Sequence, residues 1–378
     1  MQGPNRNMWK RFCCVTLPLL LLLGTLDYRS ALAGDRGRMG SSVERGRPGS
    51  SSEPWSPDDS RSDVGAANDT ATIIRYTVPT ADSGPMEITS GPDGNLWFTE
   101  TEQSKIGRIT PTGTIVEFSI PTAGSNPHGI TAGPDGNLWF TVPNKDRIGR
   151  ITTAGVVTEF VLPADSMPYG ITVGPDDALW FAMLGLNQIG RMTTAGTLTN
   201  QFDVKAPSDP DNQPFGITSG PDGNLWFTTL TQIGRITPSG VVTKFNILTS
   251  GGEPLEITVG PDGNLWFTDA KANKIGRITP AGVVTEFAIP TTKSEPYDIV
   301  AGPDGALWFT ERAAIGRITV DGVVTDEYPT NSPNIINSLP AGITVGPDGA
   351  IWFTENLANR VARFTANPHV YYFPQILN

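Results

Sequence analysis

The segment Val283-Val-Thr-Glu-Phe-Ala-Ile289 alternates apolar and polar positions, the pattern of a strand with one face packed and one face in water. Three shorter apolar runs precede it. Ile257-Thr-Val259 leads into Gly260-Pro-Asp-Gly263, where Pro presets φ, Asp caps with its side chain and Gly accepts positive φ, so the chain turns. Asn264-Leu-Trp-Phe-Thr268 returns, and Lys274-Ile-Gly-Arg-Ile-Thr279 follows, closed by Pro280-Ala-Gly282. Residues 257–290 therefore predict four short antiparallel strands.

The same pattern recurs. Copies of the Gly-Pro-Asp turn begin at Gly91, Gly133, Gly174, Gly220, Gly260, Gly302 and Gly346, successively 42, 41, 46, 40, 42 and 44 residues apart. Each is followed by a Trp six residues after its first Gly: Trp97, Trp139, Trp180, Trp226, Trp266, Trp308 and Trp352. A period near forty residues with four strands is one propeller blade, and one blade cannot bury both of its faces alone. The expected fold is all-β, a seven-bladed β-propeller of four-stranded blades around a central channel. The recurring Trp read as packing between blades. The Arg of each Ile-Gly-Arg run reads as a repeated polar contact, with the turn Asp as one candidate partner.

Ring closure leaves two candidates for one place. Thr72-Ile-Ile-Arg-Tyr-Thr-Val78 resembles a fourth strand without the three before it, and His369-Val-Tyr-Tyr-Phe373 resembles the same strand. The favoured arrangement puts the N-terminal strand in the last blade and the C-terminal segment on an edge as a cap.

Outside the repeats the chain changes character. Arg6, Lys10 and Arg11 precede an apolar run from Phe12 to Leu23, and Ala31-Leu32-Ala33 offers a small-residue cleavage site. This layout predicts a signal peptide over residues 1–33, with an uncleaved anchor as the alternative; the apolar run is short for a membrane span. Both cysteines, Cys13 and Cys14, lie in this segment, so the mature chain is expected to have no thiol or disulfide. Residues 34–70 are rich in Gly, Ser, Arg, Asp and Pro and read as a disordered spacer before a propeller over 71–378. The expected location is secreted, extracellular or periplasmic, with no membrane contact after cleavage.

The formal charge is −11, and removing the net +3 of residues 1–33 leaves −14. An acidic chain without a Lys/Arg cluster is a poor nucleic-acid binder, so no nucleic-acid partner is expected. No Gly-x-Ser-x-Gly elbow, phosphate-binding loop or dinucleotide fingerprint occurs. A monomer is expected.

Function should sit where the repeats differ. Two residues before the Ile of the innermost strand the blades carry Met86, His128, Tyr169, Phe215, Leu255, Tyr297 and Ala341. These positions enter the channel rim, where a small-molecule or peptide ligand would bind. Acids cluster in the same segments: Glu87, Glu253, Glu256, Glu295 and Asp298. The last four could hold Mg²⁺ or Ca²⁺, which take oxygen ligands, or form a solvated acidic rim. His128 is one of two histidines, and a general base near neutral pH is its natural role.

The repeat Gly-Ile-Thr-x-Gly-Pro-Asp-Gly-x-Leu-Trp-Phe-Thr-Glu, then Asn-Lys-Ile-Gly-Arg-Ile-Thr, then Val-Thr-Glu-Phe-x-Ile-Pro-Thr resembles the virginiamycin B (streptogramin B) lyase family over roughly residues 71–373. The resemblance implies a propeller whose channel mouth binds a cyclic depsipeptide antibiotic. It implies Mg²⁺-dependent elimination at the ester bond, with a His taking the proton α to a carbonyl. The family's histidines stand in Pro-His runs in two adjacent blades, one of them in a Glu-Pro-His run whose Glu helps bind the metal.

Here Pro127-His128 matches a Pro-His run, with Asn126 in place of the Glu. Glu253-Pro254 and Glu295-Pro296 are followed by Leu255 and Tyr297 instead of His. The candidate catalytic residues are thus His128 and Tyr297, with Tyr169, Phe215 and Asn126 for substrate and Glu253, Glu295, Glu256 and Asp298 for Mg²⁺. The alternative is a non-catalytic extracellular binding propeller using the same aromatics and acids.

Overall fold

The computed structural model describes residues 71–204, 213–330 and 338–365. The signal and spacer readings, and the C-terminal strand candidate at 369–373, lie outside the described residues. Seven four-stranded antiparallel sheets are present, each with its strands in sequential order from inside to outside except the last. The inner strands are Pro85–Ser90, Ile130–Ala132, Pro168–Val173, Pro214–Ser219, Pro254–Val259, Ile299–Ala301 and Pro340–Val345, which define blades 1 to 7. Each touches the next, and the first touches the last, so the ring is closed.

Blade 7 takes its outer strand from the other end of the chain. Thr72–Thr77 pairs antiparallel with Arg360–Thr365, Thr72 lying opposite Thr365 and Thr77 opposite Arg360. The reason is legible in the packing. Six blades stack their Trp on an aromatic ring of their own outer strand, from Trp97 on Phe118 to Trp308 on Tyr328. Trp352 stacks instead on Tyr76, ring centroids 5.7 Å apart. The N-terminal segment carries the aromatic that completes the seventh blade.

The Trp side chains are the core. Six are fully buried, and Trp308 is 3% exposed. Each indole N–H donates to the Asp of its own turn, at 2.9–3.2 Å. The turn Asp therefore links the turn to the core and satisfies a buried donor. The clusters run between blades, so that Trp97, for instance, packs with Ile130, Leu138 and Phe140 of the next blade. The Gly of each Ile-Gly-Arg run makes room for a ring: a Cβ on Gly107 would lie 2.1 Å from Cζ of Phe98. Blade 7 has Ala362 at this position, opposite Phe353.

The repeated Arg has two arrangements, set by one turn residue. Where the turn ends in Asn, that Asn donates to Oδ2 of the turn Asp at 2.7–2.8 Å. The Arg then lies over the Trp ring, 5.5–5.6 Å from its centroid, and reaches a carbonyl of the following blade, as Arg277 reaches Val320. Where Ala replaces Asn, at Ala178, Ala306 and Ala350, the Asp oxygen is free for the Arg. Arg191, Arg317 and Arg363 donate to it through Nε at 2.6–2.7 Å. Asn264→Ala is therefore expected to draw Arg277 from the Val320 carbonyl onto Asp262. A crystal structure of the variant would check this, and because the pair is near the surface the stability change should stay within about 1 kcal/mol.

Candidate functional site

The rim positions converge in the channel. His128, Tyr169 and Phe215 enter from blades 2, 3 and 4 and pack against one another. Centroid distances are 4.7 Å for His128–Tyr169, 5.8 Å for His128–Phe215 and 5.1 Å for Tyr169–Phe215. Tyr297 enters from blade 6, on the other side of the ring, and its hydroxyl lies 3.2 Å from Nε2 of His128. His128 is 8% exposed and Tyr297 4%. The backbone holds both in place: the amides of His128 and Tyr297 donate to Thr141 and Thr310 of their own blades.

Burial sets the protonation of this pair. Desolvation lowers the His128 imidazole to about 4, so the ring is neutral at pH 7. Burial raises the Tyr297 phenol well above its ordinary value, and the charges of Glu87, Glu256 and Asp298 raise it further. The phenol is thus a hydrogen-bond partner and not an anion. Nδ1 of His128 is buried and has no partner among the described residues.

Three carboxyl groups surround Tyr297, each one residue after its rim position. Glu87 is raised by burial and by Asp298 and Glu256; a hydrogen bond from Tyr297 opposes the shift. Glu256 is raised by burial and by Asp298. Burial raises Asp298 to about 7, against the amides of Ile343 and Ile299, which favour its charged form. Asp298 accepts from the amide of Ile299 at 2.7 Å and from that of Ile343, in blade 7, at 2.8 Å. It ties two inner strands together, and both of its oxygens are engaged.

The four carboxylates considered for Mg²⁺ fall into two pairs. Glu256 and Asp298 lie in the channel with Glu87. Glu253 and Glu295 lie in the entering loops, where each has a protein cation at hand. Burial raises Glu253 and Lys271 opposes that shift, while Glu295 pairs with Arg312 at 3.4 Å. Among the described residues no three His, Cys, Asp or Glu side chains converge closely enough to hold a metal ion. With Asp298 bound to two amides and Glu295 bound to Arg312, this donor set does not fit a resident Mg²⁺.

Asn126 stands apart from the aromatic group. It has φ of 50°, donates to the Thr101 carbonyl and accepts from Asn144, so it shapes the loop entering blade 2.

The model of the virginiamycin B lyase family matches residues 42–209 and 199–376, almost the whole propeller. The chain belongs to that family. Virginiamycin B lyase from Staphylococcus aureus, in a selenomethionine-substituted crystal structure, is 38% identical with TM-score 0.73, covering 79% of this chain and 100% of that one. A catalytically inactive histidine-to-alanine variant of the S. aureus enzyme, solved with quinupristin, is 39% identical with the same TM-score and coverage. Hydrazine synthase of Kuenenia stuttgartiensis, at 16% identity and TM-score 0.63 over 77% of this chain and 97% of that one, shows likeness of fold alone. No curated protein matches the sequence.

In this chain the run Glu295-Pro296-Tyr297 puts a phenol opposite the His128 imidazole. Sequence reading had Tyr297 and His128 on one rim, and the structure adds that they meet across it. It placed Glu87 among the rim acids but left it out of the set that holds Glu256 and Asp298. The shared register, one residue after the rim position, was the available signal. It also missed Arg312 and Lys271, which come from the following hairpins.

Proposed function

We propose that this chain is an exported ligand-binding propeller that takes a small-molecule or peptide ligand at the channel mouth, over the His128–Tyr297 pair. The observation that carries this reading is the composition of the lumen: one neutral histidine, hydrogen-bonded to a phenol, among three carboxyl groups with no cation at hand among the described residues. Elimination at an ester bond expels a carboxylate. An enzyme must stabilise that developing negative charge with donors, cations or a metal. Here the groups beside the expelled carboxylate would be Glu87, Glu256 and Asp298, whose own ionisation burial already disfavours, with no Lys or Arg among the described residues acting on them.

A second reading has one observation in its favour. A neutral His128 can accept a proton at pH 7, and the Tyr297 hydroxyl is within the reach that acid–base catalysis needs. It describes a lyase acting on a depsipeptide with a His–Tyr pair in place of two histidines.

The purified protein, a streptogramin B antibiotic and Mg²⁺, followed by chromatography and mass spectrometry, separate the two. The expected result is no ring-opened product at high protein concentration, with saturable binding that weakens at least tenfold in Phe215→Ala. A ring-opened product of unchanged mass that disappears in His128→Ala would overturn the binding reading.

A further inference from the structure

We infer that the channel ligand is an organic cation, an ammonium or diammonium group on an apolar body, held by Glu87 and Glu256 with its body against Tyr169 and Phe215. This rests on the ligand-binding reading above and names the class of ligand.

The argument starts from how the protein treats its other buried or half-buried carboxylates. Glu355 is fully buried and pairs with Arg75 at 3.1 Å. Glu286 pairs with Lys274 at 2.9 Å, and Glu117 with Lys105 at 3.4 Å. Glu295 has Arg312 and Glu253 has Lys271. Glu311 has no such cation and shares its surroundings with Glu327 and Ser294. Across the ring, then, a carboxylate drawn out of water usually keeps a cation beside it.

The channel group is an exception. Among the described residues no Lys or Arg acts on Glu87, Glu256 or Asp298; the groups that act on them are one another, Tyr297 and the backbone amides on Asp298. Glu87 and Glu256 are only partly buried, which leaves them open to the lumen.

Two further observations point to a ligand. His128, 92% buried, is directed at the same Tyr297 hydroxyl on which the acids act, and its Nδ1 lacks a partner among the described residues. Oε1 of Glu87 is likewise buried without one. The opposite wall is aromatic, and cations are attracted to such ring faces. The carboxyl groups feel one another's charge but do not converge to metal-ligand distances. Several carboxyl groups that form no metal cage match a cation that donates hydrogen bonds in several directions.

The test uses three probes built on one benzene ring: p-xylylenediamine, its neutral counterpart 1,4-benzenedimethanol, and 1,4-phenylenediacetate. Binding to the full chain is measured by calorimetry at pH 8 and pH 7 in buffers of different ionisation enthalpy. The diamine is expected to bind at least tenfold more tightly than the diol, with the diacetate weakest. Glu87→Gln and Glu256→Gln should each weaken the diamine at least tenfold and the diol by much less. Both variants relieve repulsion, so both should fold. Proton release on diamine binding at pH 7 is the expected accompanying signature, because a cation favours the ionised carboxylates. Equal affinity for diamine and diol, or diamine binding indifferent to both Gln variants, overturns the inference. If the diol or diacetate binds through Phe215 and the diamine does not, the class of ligand is wrong and the binding reading stands. If none binds, both fall.

Discussion

Trp139→Ala should lower the stability of the propeller by about 3–5 kcal/mol, the largest effect expected of any single core truncation here. Trp139 is fully buried, stacks on Phe160 and packs with Ile148, Leu162, Leu179 and Phe181. Leu179 and Phe181 belong to blade 3, so the cavity opens between two blades and no single hairpin can collapse to fill it. The loss of the indole N–H from Asp135 adds little, because that Asp lies in an exposed turn. Denaturant titration should show a lower midpoint with an unchanged slope, which marks a change in stability and not in the extent of unfolding. A loss below about 1 kcal/mol would mean that the blades do not depend on this contact.

The second large effect is on pH dependence. Glu100 and Glu311 are 0% and 2% exposed. Burial, with Glu117 and Glu327 respectively as like-charged neighbours, raises each from 4.5 to about 8. A carboxyl whose folded value lies above its unfolded one contributes stability that is complete below about 4.5 and is lost as pH rises through about 8. Taken singly, a shift of that size corresponds to roughly 4–5 kcal/mol per group. Asp298, raised to about 7, acts in the same direction. Glu117 is lowered and has the opposite sign, but its contribution changes below 4.5, outside this window; His128, lowered from 6.5 to about 4, adds stability as pH rises to about 6.5 and offsets part of the loss in the lower half of the window. The wild-type chain should therefore lose stability between pH 5 and pH 8. The double variant Glu100→Gln, Glu311→Gln should lose much less over the same range. Denaturation curves at the two pH values compare the slopes, and an unchanged slope in the variant would exclude these groups as its source.

How much of this could be read from the chain differs between fold and site. The blades were legible because each turn and each strand repeats the same local chemistry seven times. The strands observed in blade 5, Pro254–Val259, Leu265–Asp269, Lys274–Ile278 and Val284–Ala288, differ from the expected ones by at most three residues at an end. Closure by the N-terminal strand was legible too, since Thr72–Val78 has the outer-strand pattern, and Tyr76 proves to be its stacking residue. The Arg contacts were half legible. A partner at the turn Asp holds in the close form for Arg191, Arg317 and Arg363, while Asn at the turn diverts others to the next blade.

The site was less legible because its contacts are made by ring closure. His128 and Tyr297 are 169 positions apart, and only the curvature of the whole ring brings them to 3.2 Å. Glu295 and Asp298 are three residues apart yet have different partners, Arg312 for one and the amides of Ile299 and Ile343 for the other. Spacing within the chain placed both on the rim, but the neighbouring hairpin and blade decide what each does.

The pairing of Thr72 with Thr365 sets the start of the first strand beside the last described residue, within blade 7. Ends that lie together are the condition under which a chain can be cut elsewhere and rejoined. The propeller has no geometric need to begin at residue 71. A break in the turn between the third and outer strands of any other blade could serve as its starting point, and the split blade would then be a different one of the seven. The position of the seam is a property of the gene's reading frame of repeats, and the ring itself is indifferent to it.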